Sequence, residues 1–228
     1  MTIIAIEVAF DFVCAWCYIG KRKVDHAITL YQKAYPGGKN DTFSITWKPY
    51  YLHYNPHPHS VDKSEVAKVR LSDMSPERQA ALTQRMEQIG RSIGVNFRWG
   101  GKIGPDTRDA HRLVRLSRSE DTSVQNALID GLFAAYHELE QDISDIRILQ
   151  NVATGAGMSG VDVEKFLQST KGLDEVNEEE IKTRELAGGS GVPTFVIQGV
   201  HRLDGAQDPS DFYEAFVKVK EAEPTQGI

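Results

Sequence analysis

The feature that most limits how this chain can fold is a change of period at residue 14. Thr2-Ile3-Ile4-Ala5-Ile6-Glu7-Val8-Ala9-Phe10 is rich in β-branched residues and suits a buried strand. Past Val13 the period becomes helical. Tyr18 to Tyr35 carries Ile19, Val24, Ala27, Ile28, Tyr31 and Ala34 at helical spacing, and Pro36-Gly37-Gly38 ends the run. Phe43-Ser44-Ile45-Thr46-Trp47 then alternates as a second strand, and a helix of that length between two strands is what a β-α-β unit requires. The only two cysteines, Cys14 and Cys17, stand three apart where strand gives way to helix.

From Asn55 to about Leu186 strand-like runs almost vanish. The patterning predicts helices over roughly 61–71, 76–93, 107–119, 123–139, 145–156, 161–169 and 175–187. Ser75-Pro76 offers an N-cap followed by proline at the first helical position, and Ser144 or Asp145 caps the helix near 145. Gly94, Gly157, Gly172 and Gly188 sit where helices should stop. No fixed-period similarity marks a helical repeat. Strand character returns at Pro193-Thr194-Phe195-Val196-Ile197-Gln198, and Gly199 turns the chain into Val200-His201-Arg202-Leu203 as a hairpin. A last helix, Asp211 to Ala222, places Phe212, Ala215, Phe216 and Val219 on one face. The expected class is therefore α/β, a thioredoxin-like four-stranded core with a large all-helical insertion. Residues 1–54 and 187–228 form the discontinuous core domain, and 55–186 form the helical subdomain.

Composition excludes several classes. A hydrophobic fraction of 40% and a charged fraction of 25% over 228 residues are ordinary for a soluble globular protein. The net charge of -6 argues against nucleic acid, which needs a clustered positive face. No apolar run is long enough to span a membrane. Met1 to Val13 is apolar but lacks a positive n-region, and Glu7 and Asp11 interrupt it, so it reads as a strand rather than a secretory signal. The expectation is a cytoplasmic protein, with a host-specific import route left open. Two cysteines cannot make a disulfide framework, and in a reducing compartment such a pair is catalytic or metal-binding.

A helix leaves its first backbone N–H groups unpaired and carries partial positive charge there. A thiolate at that point is favoured, so Cys14, partly exposed, is the expected nucleophile and Cys17, one turn further in, the resolving thiol. Lys21 lies near the same face and either adds to that field or belongs, with Arg22 and Lys23, to a solvated basic face. Rival readings of the cysteines are buried structural thiols and a zinc site. Zinc needs two further ligands, and His26, His53, His57, His59, His111, His137 and His201 follow at no convincing finger spacing, so no metal is expected. Pro193 heads a strand after Gly188-Gly189-Ser190-Gly191, which suits either a cis peptide bond in a tight approach or an ordinary trans bond.

Cys14-Ala15-Trp16-Cys17-Tyr18-Ile19-Gly20-Lys21-Arg22 closely resembles the active-site stretch of DsbA-like thioredoxin-fold proteins, in particular the FrnE-type branch. Asp109-Ala110-His111-Arg112-Leu113, Leu132-Phe133-Ala134-Ala135-Tyr136, Gly191-Val192-Pro193-Thr194-Phe195 and Asp204-Gly205-Ala206-Gln207 are similar to further signatures of that family, over about residues 5 to 217. The resemblance implies a cis Pro193 beside the two cysteines and substrate contacts from Trp16, Val192, Pro193 and Thr194. Val192 would offer backbone hydrogen bonds to an extended chain. One departure is Ala15, where branch members usually have proline, which leaves the redox poise open. With no further cysteine pair, regeneration must come from outside, from glutathione or a thioredoxin-type partner.

The branch is also related to kappa-class glutathione transferases and 2-hydroxychromene-2-carboxylate isomerases, which have serine where this chain has Cys14. No tightly bound cofactor is expected, but glutathione stays open as a co-substrate. Gly205, Ala206 and Gln207 either receive its anionic end through backbone N–H groups or form a turn that only starts a helix. Three functions follow. The first is a thiol–disulfide oxidoreductase acting on a disulfide-containing protein or small molecule. The second is a glutathione-dependent isomerase or transferase of a small aromatic or polyketide-like substrate, with Trp16, Tyr50, Tyr51 and Trp99 lining a pocket or merely filling core. The third is a thioredoxin-like chaperone whose thiols matter little. The oligomeric state, a homodimer included, is left open by the sequence.

Overall fold

The computed structural model describes residues 1–222; the last six residues of the predicted segment 187–228 lie outside the described residues. Strands β1 (Ile3–Phe10), β2 (Thr42–Pro49), β5 (Thr194–Ile197) and β6 (His201–Asp204) form one sheet in the order β2-β1-β5-β6. β1 runs parallel to β2 with Ile4 opposite Phe43 and Val8 opposite Trp47, and antiparallel to β5 with Val8 opposite Phe195. β6 pairs antiparallel with β5. The parallel pair needs a crossover, which α1 (Ala15–Ala34) supplies.

Ile4, Ile6, Val8 and Phe10 are buried while Ile3 and Ala5 are exposed, the period-two signature of a strand with one covered face. Tyr31 of α1 meets Phe43 of β2 and Phe216 of the last helix, α9 (Pro209–Ala222), with ring centroids 5.7 and 5.9 Å apart. Phe212 of α9 meets Phe195 of β5 edge-on at 4.8 Å. Asp41, buried just before β2, accepts hydrogen bonds from Thr2 N–H (2.7 Å), Tyr31 Oη (3.0 Å) and Lys220 Nζ (3.0 Å). Those three donors hold the start of β1, α1 and α9 to one carboxylate.

Compactness divides the chain into two units. The first comprises Met1–Phe10, Trp16–Tyr50 and Lys182 onward, and the second comprises Asp11–Ala15 and Tyr51–Ile181. The second holds α2 (Lys63–Arg70), α3 (Pro76–Ser92), α4 (Arg108–Leu116), α5 (Thr122–His137), α6 (Ile146–Gly155), α7 (Gly160–Leu167) and most of α8 (Leu173–Ala187). Ser75 caps α3, its Oγ accepting from Arg78 N–H with Pro76 at the first helical position, and Asp145 rather than Ser144 caps α6. Arg112 of α4 donates to the backbone carbonyls of Lys171 (2.8 Å), Phe166 (3.0 Å) and Ser169 (2.6 Å) and to Asp109 (2.6 Å), joining α4 to the end of α7.

The insertion is not wholly helical. β3 (Val61–Asp62) pairs antiparallel with β4 (Lys102–Ile103), Val61 opposite Ile103. Two residues are too few to show an alternating pattern, so sequence reading missed the pair. Gly101 just before β4 has φ +80°, and a Cβ there would meet the Glu140 carbonyl oxygen, so this turn requires glycine. No helix among the described residues is long and apolar enough to cross a membrane.

Candidate active site

Cys14 immediately precedes the first residue of α1, and its N–H closes a turn onto the Asp11 carbonyl at 3.2 Å. The first turn of α1 contains no acidic residue. Cys14 and Cys17 are not joined as a disulfide in this structure. Cys14 is only 6% exposed, less than the partly exposed position expected, because the segment around it is anchored within the second unit. Asp11 Oδ2 accepts from Leu52 N–H at 2.8 Å. The Phe12 ring lies between Phe133 and His111, with centroids 5.0 and 5.2 Å away. The Phe12 carbonyl oxygen is 2.8 Å from His137 Nε2. Burial, aided by the nearby positive Lys63, pushes the His137 pKa down to about 3. The ring is therefore neutral, and since a carbonyl only accepts, the proton sits on Nε2.

In the first unit, Cys17 is buried on the face of α1 that continues into Gly20 and Val24. Gly20 leaves little room there: an added Cβ would stand 3.0 Å from Phe195 Cζ and 3.1 Å from Pro193 Cγ. The missing side chain lets the residues leading into β5 lie against the helix one turn beyond Cys17. The Val192–Pro193 peptide bond is cis. Trp16, at the second helical position, is 39% exposed.

Other expected site residues turn inward. Thr194 is buried, and its hydroxyl bonds to Gly191 O (2.9 Å) and Asp204 Oδ1 (3.2 Å), so it shapes the turn before β5 rather than facing a substrate. Of the three N–H groups assigned to glutathione, that of Gly205 donates to Pro193 O (2.8 Å) and that of Gln207 to Gly205 O (3.0 Å). Ala206 contributes its carbonyl to Lys23 Nζ (3.1 Å), which also pairs with Asp208 at 2.7 Å. Only Ala206 N–H then remains for an anion at this turn. Lys21 is not part of a solvated face: it is 3% exposed and paired with Asp25 at 2.6 Å. Among the described residues no three His, Cys, Asp or Glu side chains form a metal cluster.

Sequence reasoning missed a cavity in the second unit, walled by Asp11, Tyr51, Tyr54, Thr107 and Tyr136 among others. Of the aromatics proposed to line a pocket, Tyr51 does so. Tyr50 instead lies under the Arg184 guanidinium (4.4 Å), and Trp99 stacks on Phe97 (5.5 Å).

A CxxC at the start of the helix that follows the first strand, a cis proline ahead of β5 and a helical insertion define a thioredoxin-fold protein of the DsbA type. Residues 5–217 match the DSBA-like thioredoxin domain, and the chain belongs to that family. The Bacillus subtilis (strain 168) protein YwbO, itself uncharacterised, is 24% identical over 211 residues, spanning 92% of this chain and 94% of YwbO. A probable DsbA oxidoreductase from Streptomyces coelicolor shares the fold with a TM-score of 0.83 at 23% identity, covering 99% of this chain and 93% of that one. The cytosolic disulfide reductase DsbM from Pseudomonas aeruginosa, solved with GSH, shares it at a TM-score of 0.62 and 15% identity, over 95% and 98% of the two chains.

Proposed function

We propose that the protein is a thiol–disulfide oxidoreductase in which Cys14 is the nucleophile and Cys17 the resolving thiol. One observation carries the reading: Cys14 stands at the unpaired N–H groups of α1, in a first turn free of acidic residues. The Cys14 thiolate attacks one sulfur of a substrate disulfide, forming a mixed disulfide and releasing the other sulfur as a thiolate. Cys17 then gives up its proton and attacks Cys14 Sγ, which frees the second substrate sulfur and leaves a Cys14–Cys17 disulfide. The substrate gains two electrons and the protein loses them; the reverse sequence oxidises a dithiol substrate.

Trp16, the backbone of Val192 and the ring of Pro193 are the proposed substrate contacts, and Thr194 holds their turn from behind. The chain has no third cysteine, so two electrons must return from an external thiol, either two molecules of glutathione or a thioredoxin-type dithiol. We read the compartment as the cytoplasm, where such reductants are abundant. The test is turnover of a small symmetric disulfide with each reductant in a separate arm. Wild type is expected to turn over, Cys14→Ser to lose activity and Cys17→Ser to stall as a mixed disulfide. Full activity in Cys14→Ser would falsify the mechanism.

A further inference from the structure

The cavity of the second unit is lined by two residues with an oxygen that makes no hydrogen bond within the protein, Asp11 and Thr107. Asp11 is 1% exposed; its Oδ2 is satisfied by Leu52 N–H, but Oδ1 accepts no hydrogen bond. The nearest cation-capable atom recorded for it is His111 Nε2 at 3.5 Å, beyond normal hydrogen-bond length. Thr107, 5% exposed, has a hydroxyl with no partner either. Both residues line the same cavity, together with Tyr51, Tyr54 and Tyr136. A buried carboxylate oxygen whose lone pairs accept no hydrogen bond is costly, so a cavity with this wall calls for a donor.

Size and charge narrow the donor. The cavity leaves about 20 Å³ for the centre of a water-sized molecule, just above the roughly 10–15 Å³ that one water requires. An adjoining groove of about 550 Å³ shares Tyr51, His53 and Asp106 with it and is bordered further out by Glu180 and Ile181. Three carboxylates, Asp11, Asp106 and Glu180, face one guanidinium, Arg108, which is engaged with Asp106 at 2.5 Å. An ammonium group is water-sized, carries three donors and a positive charge, and is attracted to tyrosine rings.

The geometry points to a binding site for a small molecule bearing a primary ammonium, its nitrogen seated between Asp11 Oδ1 and Thr107 Oγ1 and its body in the groove past Tyr51 and His53. The site does not depend on the thiol chemistry proposed above.

The test uses benzylamine, benzyl alcohol and benzoate, titrated in an amine-free buffer and followed by protein NMR or calorimetry. Benzylamine is expected to bind at least about tenfold more tightly than the alcohol, the ratio of a charged hydrogen bond to a neutral one, and benzoate not at all. Asp11→Asn keeps an acceptor for Leu52 N–H but loses the charge, and is expected to weaken benzylamine at least about tenfold. Thr107→Val, isosteric and remote from both cysteines in sequence, is expected to weaken it several-fold while disulfide turnover stays at the wild-type rate. If Asn at 11 prevents folding, the Val variant and the probe series decide alone. Equal affinity for amine and alcohol, an undiminished affinity in the folded variants, or no binding by any probe overturns the proposal; the last result leaves a cavity that holds water only.

Discussion

Lowering the pH from 7.5 to 5 is expected to remove about 2 kcal/mol of stability through His137 alone. The imidazole is fully buried beneath the residues leading to Cys14, with Nε2–H donating to the Phe12 carbonyl. Burial is the main cause that lowers its pKa from the ordinary 6.5 to about 3; the positive Lys63 lowers it further, and the Phe12 bond opposes both without cancelling them. The folded value lies below the unfolded one. As the pH falls through 6.5 the unfolded chain takes up a proton that the folded chain refuses, so stability is lost progressively from about 6.5 down to about 3. The pH range between 6.5 and 5, at about 1.4 kcal/mol per pH unit, gives about 2 kcal/mol. Urea unfolding of wild type and His137→Gln at both pH values isolates this contribution. A glutamine amide still donates to Phe12 but does not titrate, and the remaining histidines titrate alike in both proteins. Wild type should lose about 2 kcal/mol more than the variant. Equal losses would refute a buried neutral imidazole behind the Cys14 segment.

Three further outcomes are expected. Gly20→Val drives a branched side chain into Pro193 and Phe195 and should cost about 2 kcal/mol in urea unfolding; a change within about 0.5 kcal/mol would mean that this contact yields freely. Arg112→Met strands the Ser169 and Lys171 carbonyls just past α7, while Phe166 O keeps its Ser169 donors, and should cost about 2 kcal/mol; Arg112→Lys, with no planar fork, should restore less than half of it by the same measurement. Ala15→Pro, at the first helical position, should stay within about 1 kcal/mol of wild type because that site tolerates proline; equilibration with glutathione then reports how residue 15 alters the redox poise, and a poise identical to wild type would dismiss it as a determinant.

Much of the frame was legible because it is written in local pattern. The β-branched run of β1, the period of α1 and the glycine and proline boundaries of the insertion helices each need only a few neighbouring residues to read. The position of Cys14 and Cys17 at a strand-to-helix junction was legible in the same way. Features that depend on distant partners were not legible. Lys21 looked like a surface charge until α1 buried it beside Asp25, and Thr194 looked like a substrate contact until its hydroxyl met Gly191 and Asp204. Asp11 entered the sequence reading only as an interruption of an apolar stretch, and His137 only as one of seven histidines. Their roles arise from Leu52, Thr107 and Phe12, which all lie 41 to 125 residues away along the chain.

The central claim is that Cys14 attacks and Cys17 resolves. It is tested most directly by treating Cys17→Ala with a small symmetric disulfide and weighing the product. The account predicts a single adduct of half the disulfide, located on Cys14, none in Cys14→Ser, and in wild type an internal Cys14–Cys17 disulfide without adduct. An adduct on Cys17 of Cys14→Ser formed as fast as that on Cys14, or turnover that survives loss of Cys14, would contradict it.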